Sequence, residues 1–284
     1  MMEMGMDTES FDEKYRKFLP KIRQFRLMDD TFMSQVFQNK ACTEFLIRTI
    51  LDDDSLVVIQ VDTQYSLKNL RGKSVRLDIT AHDAAGRIYN IEVQRSDTGA
   101  LPQRARYNSA MLDANAAQPG DRYEQLPETY VIFITENDYF HSGCPLYHVE
   151  RMIRELARPF EDRAHILYVN GTYRGRDRIG ALMHDFSCMD PKDMYSQILA
   201  DEVAQYKSTE KGVSRMCRIM EELIDEGREE GRTETLLDNV RQMMKNGNLS
   251  LTQAMDLLGL DEDDRKFVAG HLDKIGRASC RERV

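Results

Sequence analysis

RLDITAHDAAGRIYNIEVQ, residues 76–94, holds two alternating, β-branched runs separated by DAAG at residues 83–86. Those four residues suit a type I turn whose glycine takes the left-handed conformation as a one-residue bulge, the usual three-residue hairpin loop. Such a turn sets the register. Asp83 then faces Arg87, which puts Leu77 opposite Val93, Ile79 opposite Ile91 and Ala81 opposite Tyr89 on an apolar face. The other face pairs Arg76 with Gln94, Asp78 with Glu92 and Thr80 with Asn90. Two carboxylates are therefore expected as direct cross-strand neighbours, with Cβ atoms about 5 Å apart.

Like charges opposite each other destabilise a sheet by a few tenths to about 1 kcal/mol, and by more when desolvated. Two readings stand side by side. Either this face is open to water and Arg76 or Arg95 neutralises the pair, or a hard divalent cation lies between the carboxylates. Mg2+ is typically held by one or two carboxylates, several waters and a phosphate oxygen. Gln94 shares the face and can orient a water, but its amide cannot supply a proton.

The chain has 284 residues, 41% hydrophobic and 31% charged, which is ordinary composition for a globular protein with a sizeable core. No run approaches the ~18 apolar residues of a membrane span, and the N-terminus lacks the apolar stretch of a signal peptide, so a cytoplasmic location is expected. The five cysteines (Cys42, Cys144, Cys188, Cys217, Cys280) form no CxxC pair and have no histidine at zinc spacing, which predicts reduced thiols and no structural zinc. A net charge of −9 argues against coating of nucleic acid by bulk electrostatics. Yet basic residues gather in the N-terminal segment 1–26 and around the hairpin, at Arg71, Lys73, Arg76, Arg87, Arg95, Arg104 and Arg106, while the C-terminal third is acidic.

Around the hairpin the pattern is α/β. Residues 31–51 read as one amphipathic helix, 56–67 as a strand, 101–117 as a helix opened by Pro102, 129–137 as a strand buried on both faces, and 164–171 as another strand. From about Pro191 the pattern is helical only. GREEGRTE interrupts one long polar helix with glycines, and Ser250-x-x-Gln253 opens a further helix pair as a capping box. That pair fits a small packing or oligomerisation module, or a DNA-reading helix-turn-helix. Met216, Met220, Met243, Met244 and Met255 fall at core or interface spacing. His82 and Asp83, at the turn, are expected to be exposed and without an acid–base role. The segment 274–284, ending IGRASCRERV, resembles the translation of a sequencing adapter and is set apart from fold reasoning.

Aspartate at the end of one strand and Glu-x-Lys or a variant on the next, flanked by helices, is the pattern of the PD-(D/E)XK nuclease superfamily, which the chain resembles at Asp78, Glu92 and Gln94. More closely, the hairpin, the helix carrying Arg104 and Tyr107, GDRYEQLPETYVIFI and MEELIDEGREEGR together resemble the recombination-promoting nuclease and transposase branch, where Glu-x-Gln is usual. The likeness spans about residues 27–260. It implies an α/β, restriction-endonuclease-like core, a mixed sheet flanked by helices, over residues 27–185, with an all-helical C-terminal region over 190–273.

The activity implied is hydrolysis of DNA phosphodiesters with Mg2+ or Mn2+, ligated by Asp78, Glu92 and the Val93 carbonyl. Glu44 matches an acidic position that many members use as an auxiliary ligand, and is equally a surface carboxylate. Gln94 stands where most members carry lysine; Arg76, opposite it by the pairing arithmetic, is the expected replacement cation. Arg104, Tyr107, Arg95 and Lys73 are expected to contact the DNA backbone, with packing the other role open to Tyr107. The alternative is a domain of the same fold that binds DNA or a protein partner without cutting, as a mobile-element remnant. Double-strand cleavage would require a homodimer, which the C-terminal helices could supply.

Overall fold

The computed structural model describes residue 13, residues 15–67 and residues 74–281. Its chain order opens with three helices, α1 (Leu19–Gln24), α2 (Asp30–Val36) and α3 (Lys40–Leu51). The single helix expected over 31–51 is broken at Phe37–Asn39. Asn39 takes an extended conformation and accepts the Ala41 N–H at 2.9 Å, so it caps a new helix rather than continuing the old one. The Thr43 hydroxyl donates to the Phe37 carbonyl at 2.6 Å and satisfies the break from inside.

Strands β1 (Val58–Leu67), β2 (Val75–Asp83) and β3 (Ile88–Gln94) follow, then α4 (Pro102–Ala116) and β4 (Thr129–Thr135). Next come β5 (Leu146–Val149), the two-residue strands β6 (Met152–Ile153) and β7 (Arg158–Pro159), and β8 (Ala164–Asn170). Six strands form one mixed sheet in the order β1-β2-β3-β4-β8-β5. Its first half is the antiparallel meander β1, β2 and β3; β3, β4 and β8 run parallel, and β5 returns antiparallel on the far edge. The β3–α4–β4 crossover lays α4 on the sheet, where Ala105, Met111 and Leu112 bury against Leu67, Leu77, Ile88, Val131, Phe133 and Tyr168. Both β3 and β4 are central and almost wholly buried, which is why IYNIEV and YVIFIT carry apolar residues on both faces.

Helix α5 (Arg178–Ser187) and helix α6 (Gln197–Ser208) pack with α3, and α6 also meets α1 and α2. The first compact unit of the chain therefore runs past Pro191, to Cys217, and the second comprises residues 218–284. Helix α7 (Glu210–Gly247) is continuous through Gly227 and Gly231, which were expected to interrupt it. Each glycine costs a helix about 1 kcal/mol, too little to break one whose other positions are strong helix formers such as Glu and Arg. In the second unit α8 (Leu251–Leu257) begins at the Ser250–Gln253 capping box, and α9 (Glu262–Arg281) begins with Glu262, Asp263 and Asp264. Val240, Ala254, Met255 and Val268 form its core, with Met243 and Met244 packed around them. Three acidic residues in the first turn of α9 suit the helix dipole.

The 83–86 turn is the joint of the hairpin. Gly86 has φ +83°, and its N–H donates to the Asp83 carbonyl at 3.1 Å. Asp83 is buried, not exposed. Its Oδ1 accepts the N–H groups of Ala85 and Arg87 at 2.9 and 2.8 Å, and its Oδ2 accepts the Arg87 Nε and the Tyr89 hydroxyl at 2.5 and 2.8 Å. Burial alone would raise the Asp83 pKa, but the Tyr89 hydroxyl and the Arg87 N–H and guanidinium outweigh it and hold the carboxyl below its ordinary range. Replacing Asp83 with Ala strands the Tyr89 hydroxyl and leaves the turn without its acceptor, which is expected to cost about 3 kcal/mol or more. Thermal melting of Asp83→Ala checks this: a fall in Tm on the order of 10 °C is expected, and a Tm unchanged within error would refute the role given to Asp83.

Candidate active site

Asp78 lies just past the point where the β2–β3 ladder stops, between two pairs of the β1–β2 ladder. Toward β1 the pairs Thr63–Ile79 and Tyr65–Leu77 flank it, while Gln64 between them takes φ +56°. Toward β3 the ladder pairs His82–Ile88, Ala81–Tyr89, Thr80–Asn90 and Ile79–Ile91, as the turn dictates, and then stops. In the opened gap side chains replace backbone partners. The Asp78 N–H donates to Glu92 Oε1 at 3.4 Å, and the Val93 N–H donates to Asp78 Oδ2 at 3.2 Å. Asp78 is 9% exposed and Glu92 0%, so two like-charged groups meet out of water.

Burial, the charge of Glu92 and then that of Asp30 push the Asp78 carboxyl well above its ordinary pKa, against the smaller opposing pull of the Val93 N–H and Arg104. Burial likewise raises Glu92, opposed by hydrogen bonds from Asn90, Arg104 and the Asp78 N–H. Asn90 Nδ2 donates to Glu92 Oε1 at 2.9 Å, and Asn108 on α4 donates to Asn90 Oδ1 at 3.2 Å. The second Glu92 oxygen, Oε2, accepts Arg104 Nη2 at 2.5 Å. Arg104 Nη1 donates to the Gly99 carbonyl at 3.1 Å and reaches Gln94 Oε1 at 3.4 Å. Gly99 permits this closeness, because a Cβ there would lie 1.9 Å from Gln94 Oε1.

The remaining sequence expectations divide. Arg95, next to Gln94, is 59% exposed and pairs with Asp29 at 3.0 Å and Glu136 at 3.1 Å, and Arg26 meets the same Glu136 at 2.9 Å. The Val93 carbonyl leaves its strand on the same side as its N–H, toward Asp78, as strand geometry requires. Arg76 is not held opposite Gln94. The β2–β3 ladder ends three residues earlier, Arg76 pairs with Ser66 on β1, and the cation beside Gln94 is Arg104. Glu44 is far from the pair. Its Oε2 accepts the Val58 N–H at 2.9 Å and its Oε1 meets Arg48 at 2.9 Å; Val58 pairs with Asp83, roughly 17 Å along β2 from Asp78. The helix acid that Asp78 feels electrostatically is Asp30 at the start of α2. Tyr107 packs on the core beneath α4. Lys73 lies outside the described residues.

Three contributors escaped the sequence reading: Asn90, Asn108 and Asp30. The signal for the first two was available, since Asn90 precedes Glu92 by two on the same strand face and Asn108 follows Arg104 by one helical turn. Asp30 had no local signal. A separate cluster, His184, Asp185 and Cys188, has ligand atoms within 4.8 Å of one another. Its Asp185 oxygens accept the Tyr195 and Ser196 N–H groups at 2.8 and 2.9 Å, and the imidazole stacks on Tyr195, so these groups serve packing at the entry to α6.

The donor set at Asp78 and Glu92 fits a hard divalent cation: two carboxylates and a backbone carbonyl, all oxygen, brought together where their mutual repulsion is otherwise only partly met. A mixed six-stranded sheet with flanking helices and a helical C-terminal region is the architecture of the restriction-endonuclease-like fold. Residues 32–171 match the family described as PD-(D/E)XK nuclease family transposase, and over this segment the chain belongs to that family. No curated protein and no solved structure matches the chain. Among the described residues no helix is long and apolar enough to cross a membrane.

The raised carboxyl pKa values have a thermodynamic consequence. A group whose folded pKa lies above its unfolded value of about 4 binds more protons when folded, so stability is full below that value and is lost as pH rises toward the folded pKa. In EDTA the protein is expected to melt at falling temperature as pH is raised from about 5 toward 8, and Asp78→Asn, which keeps the acceptor for the Val93 N–H, is expected to raise Tm at neutral pH by a few degrees. Differential scanning calorimetry across this range checks both. A lower Tm for Asp78→Asn would contradict the assigned strain.

Proposed function

We propose that the chain is a metal-dependent DNA endonuclease that hydrolyses phosphodiester bonds at Asp78 and Glu92, with Mg2+ or Mn2+ as its cofactor. The single observation carrying this reading is the buried, mutually repelling carboxylate pair at the lapse in the sheet, in a chain of a nuclease family. Asp78, Glu92 and the Val93 carbonyl would hold the cation. When bound, the ion would lower the pKa of a coordinated water and neutralise charge on the phosphate.

The chain's own groups have separable tasks. Asn90, itself held by Asn108, fixes the rotamer of Glu92. Gln94 offers an amide that orients a water or a phosphate oxygen but carries no charge to steady a nucleophile. Arg104 and Arg95 supply the positive charge at the mouth, and both are exposed enough to reach a phosphodiester oxygen. Basic groups placed here make DNA the substrate this reading favours, despite the acidic chain as a whole. The uncharged Gln94 also supports the second reading, a domain of the same fold that binds DNA without cutting it. Cleavage of both strands would require two copies of the site, hence a homodimer.

Nicking of supercoiled plasmid tests the reading. Cleavage with Mg2+ or Mn2+ is expected, with none in EDTA and a loss of roughly 100-fold or more in Asp78→Asn and in Glu92→Gln. Nicking that survives EDTA or either substitution would overturn the assignment. Metal-independent retention of DNA in a gel shift, with no nicking, would favour the binding module.

A further inference from the structure

Glu92 has a single oxygen left for a cation, and that oxygen is in use. Oε1 already accepts two donors, the Asn90 amide and the Asp78 N–H, while Oε2 accepts, among the described residues, the Arg104 guanidinium alone. A divalent ion on Glu92 must therefore come to Oε2, within a few ångströms of a fixed positive charge, and at that range two cations repel strongly in a site sheltered from water. Arg104 has somewhere to go. Its Nη1 is anchored on the Gly99 carbonyl and near Gln94 Oε1, and its side chain is 39% exposed, so Nη2 can leave the buried carboxylate for solvent while that anchor holds.

We propose that Arg104 is the resident counter-ion of the metal-free site, displaced from Glu92 by the divalent cation, and that the displaced guanidinium is then the group that contacts the phosphodiester. The inference rests on the reading of Asp78 and Glu92 as the cation site. It makes cation loading and DNA binding mutually reinforcing, because DNA stabilises the swung-out arginine and the swung-out arginine frees the ligand oxygen. The asymmetry between the two terminal nitrogens, Nη2 on a carboxylate and Nη1 on the neutral oxygens of Gly99 and Gln94, is what makes the exchange local: the first contact breaks and the second serves as pivot.

Isothermal titration of the full chain with Mn2+, without DNA and in mildly alkaline buffer, reads the exchange directly. Arg104→Gln is expected to bind Mn2+ roughly tenfold more tightly than the unaltered protein, because a charge-assisted hydrogen bond no longer has to be broken. Arg104→Lys, which keeps the charge but loses the two-pronged geometry, is expected to fall between them. In a gel shift with Ca2+ and a short duplex, Arg104→Gln is expected to bind DNA several-fold more weakly although its cation site fills more readily. Unchanged or weakened Mn2+ binding in Arg104→Gln, with Asp78→Asn still abolishing it, would overturn the counter-ion role and leave the site intact. Mn2+ binding that survives Asp78→Asn at full strength would instead remove the cation site on which the inference rests.

Discussion

Two carboxylates that repel each other, Asp78 and Glu92, are held together out of water, and the surrounding structure is arranged about that conflict. The β2–β3 ladder does not run past them. On one side Gln64 adopts a left-handed backbone, and on the other the β2–β3 ladder ends at Ile79–Ile91, so that each carboxylate takes over a backbone N–H of the opposing strand. The local cost is offset by the firmness of what lies on either side. The Asp83 turn clamps one end of the hairpin through four accepted hydrogen bonds, and β3 is sealed to β4 by a parallel ladder that runs the whole length of both strands. Buried, strongly shifted carboxylates of this kind mark the pair as the candidate functional site.

Around the pair the polar groups fall into two sets. Behind it, Asn108 and Asn90 form a short buried chain ending on Glu92, which orients the carboxylate without neutralising it. In front, Arg104, Arg95 and Arg26 stand with Asp29 and Glu136 at the C-terminal ends of the parallel strands. Charged pairs on one side and neutral amides on the other make the surroundings of Glu92 asymmetric. The acidic excess behind the net charge of −9 is concentrated far along the sequence, in the segments around Glu221–Glu234 and Asp261–Asp264.

Much of this was legible in the sequence. Turn chemistry at residues 83–86 determines the register, and the register brings Asp78 and Glu92 to one face. The apolar run read over 129–137 marks a strand buried on both faces, which spans Thr129–Thr135. What could not be read was where the regular pattern fails. Pairing arithmetic extended past Ile79–Ile91 put Arg76 beside Gln94, because a ladder that lapses looks, in sequence, like one that continues. Glu44 fitted a helix position by resemblance, but its helix ends against the turn end of the hairpin rather than against the pair. The break at Phe37–Asn39 was hidden by an apolar period that persists across it, and Asp83 was judged by the exposure usual for turns rather than by the Tyr89 and Arg87 groups that fold over it. Long-range electrostatics, as between Asp30 and Asp78, leave no trace in spacing at all.

The most direct measurement is the anomalous scattering of Mn2+ in crystals of the full chain. The account predicts a peak with oxygen atoms of both Asp78 and Glu92 about 2.1 Å away, and with the Arg104 guanidinium no longer on Glu92. Manganese bound only at His184, Asp185 and Cys188, or at neither of the two hairpin carboxylates, would contradict it.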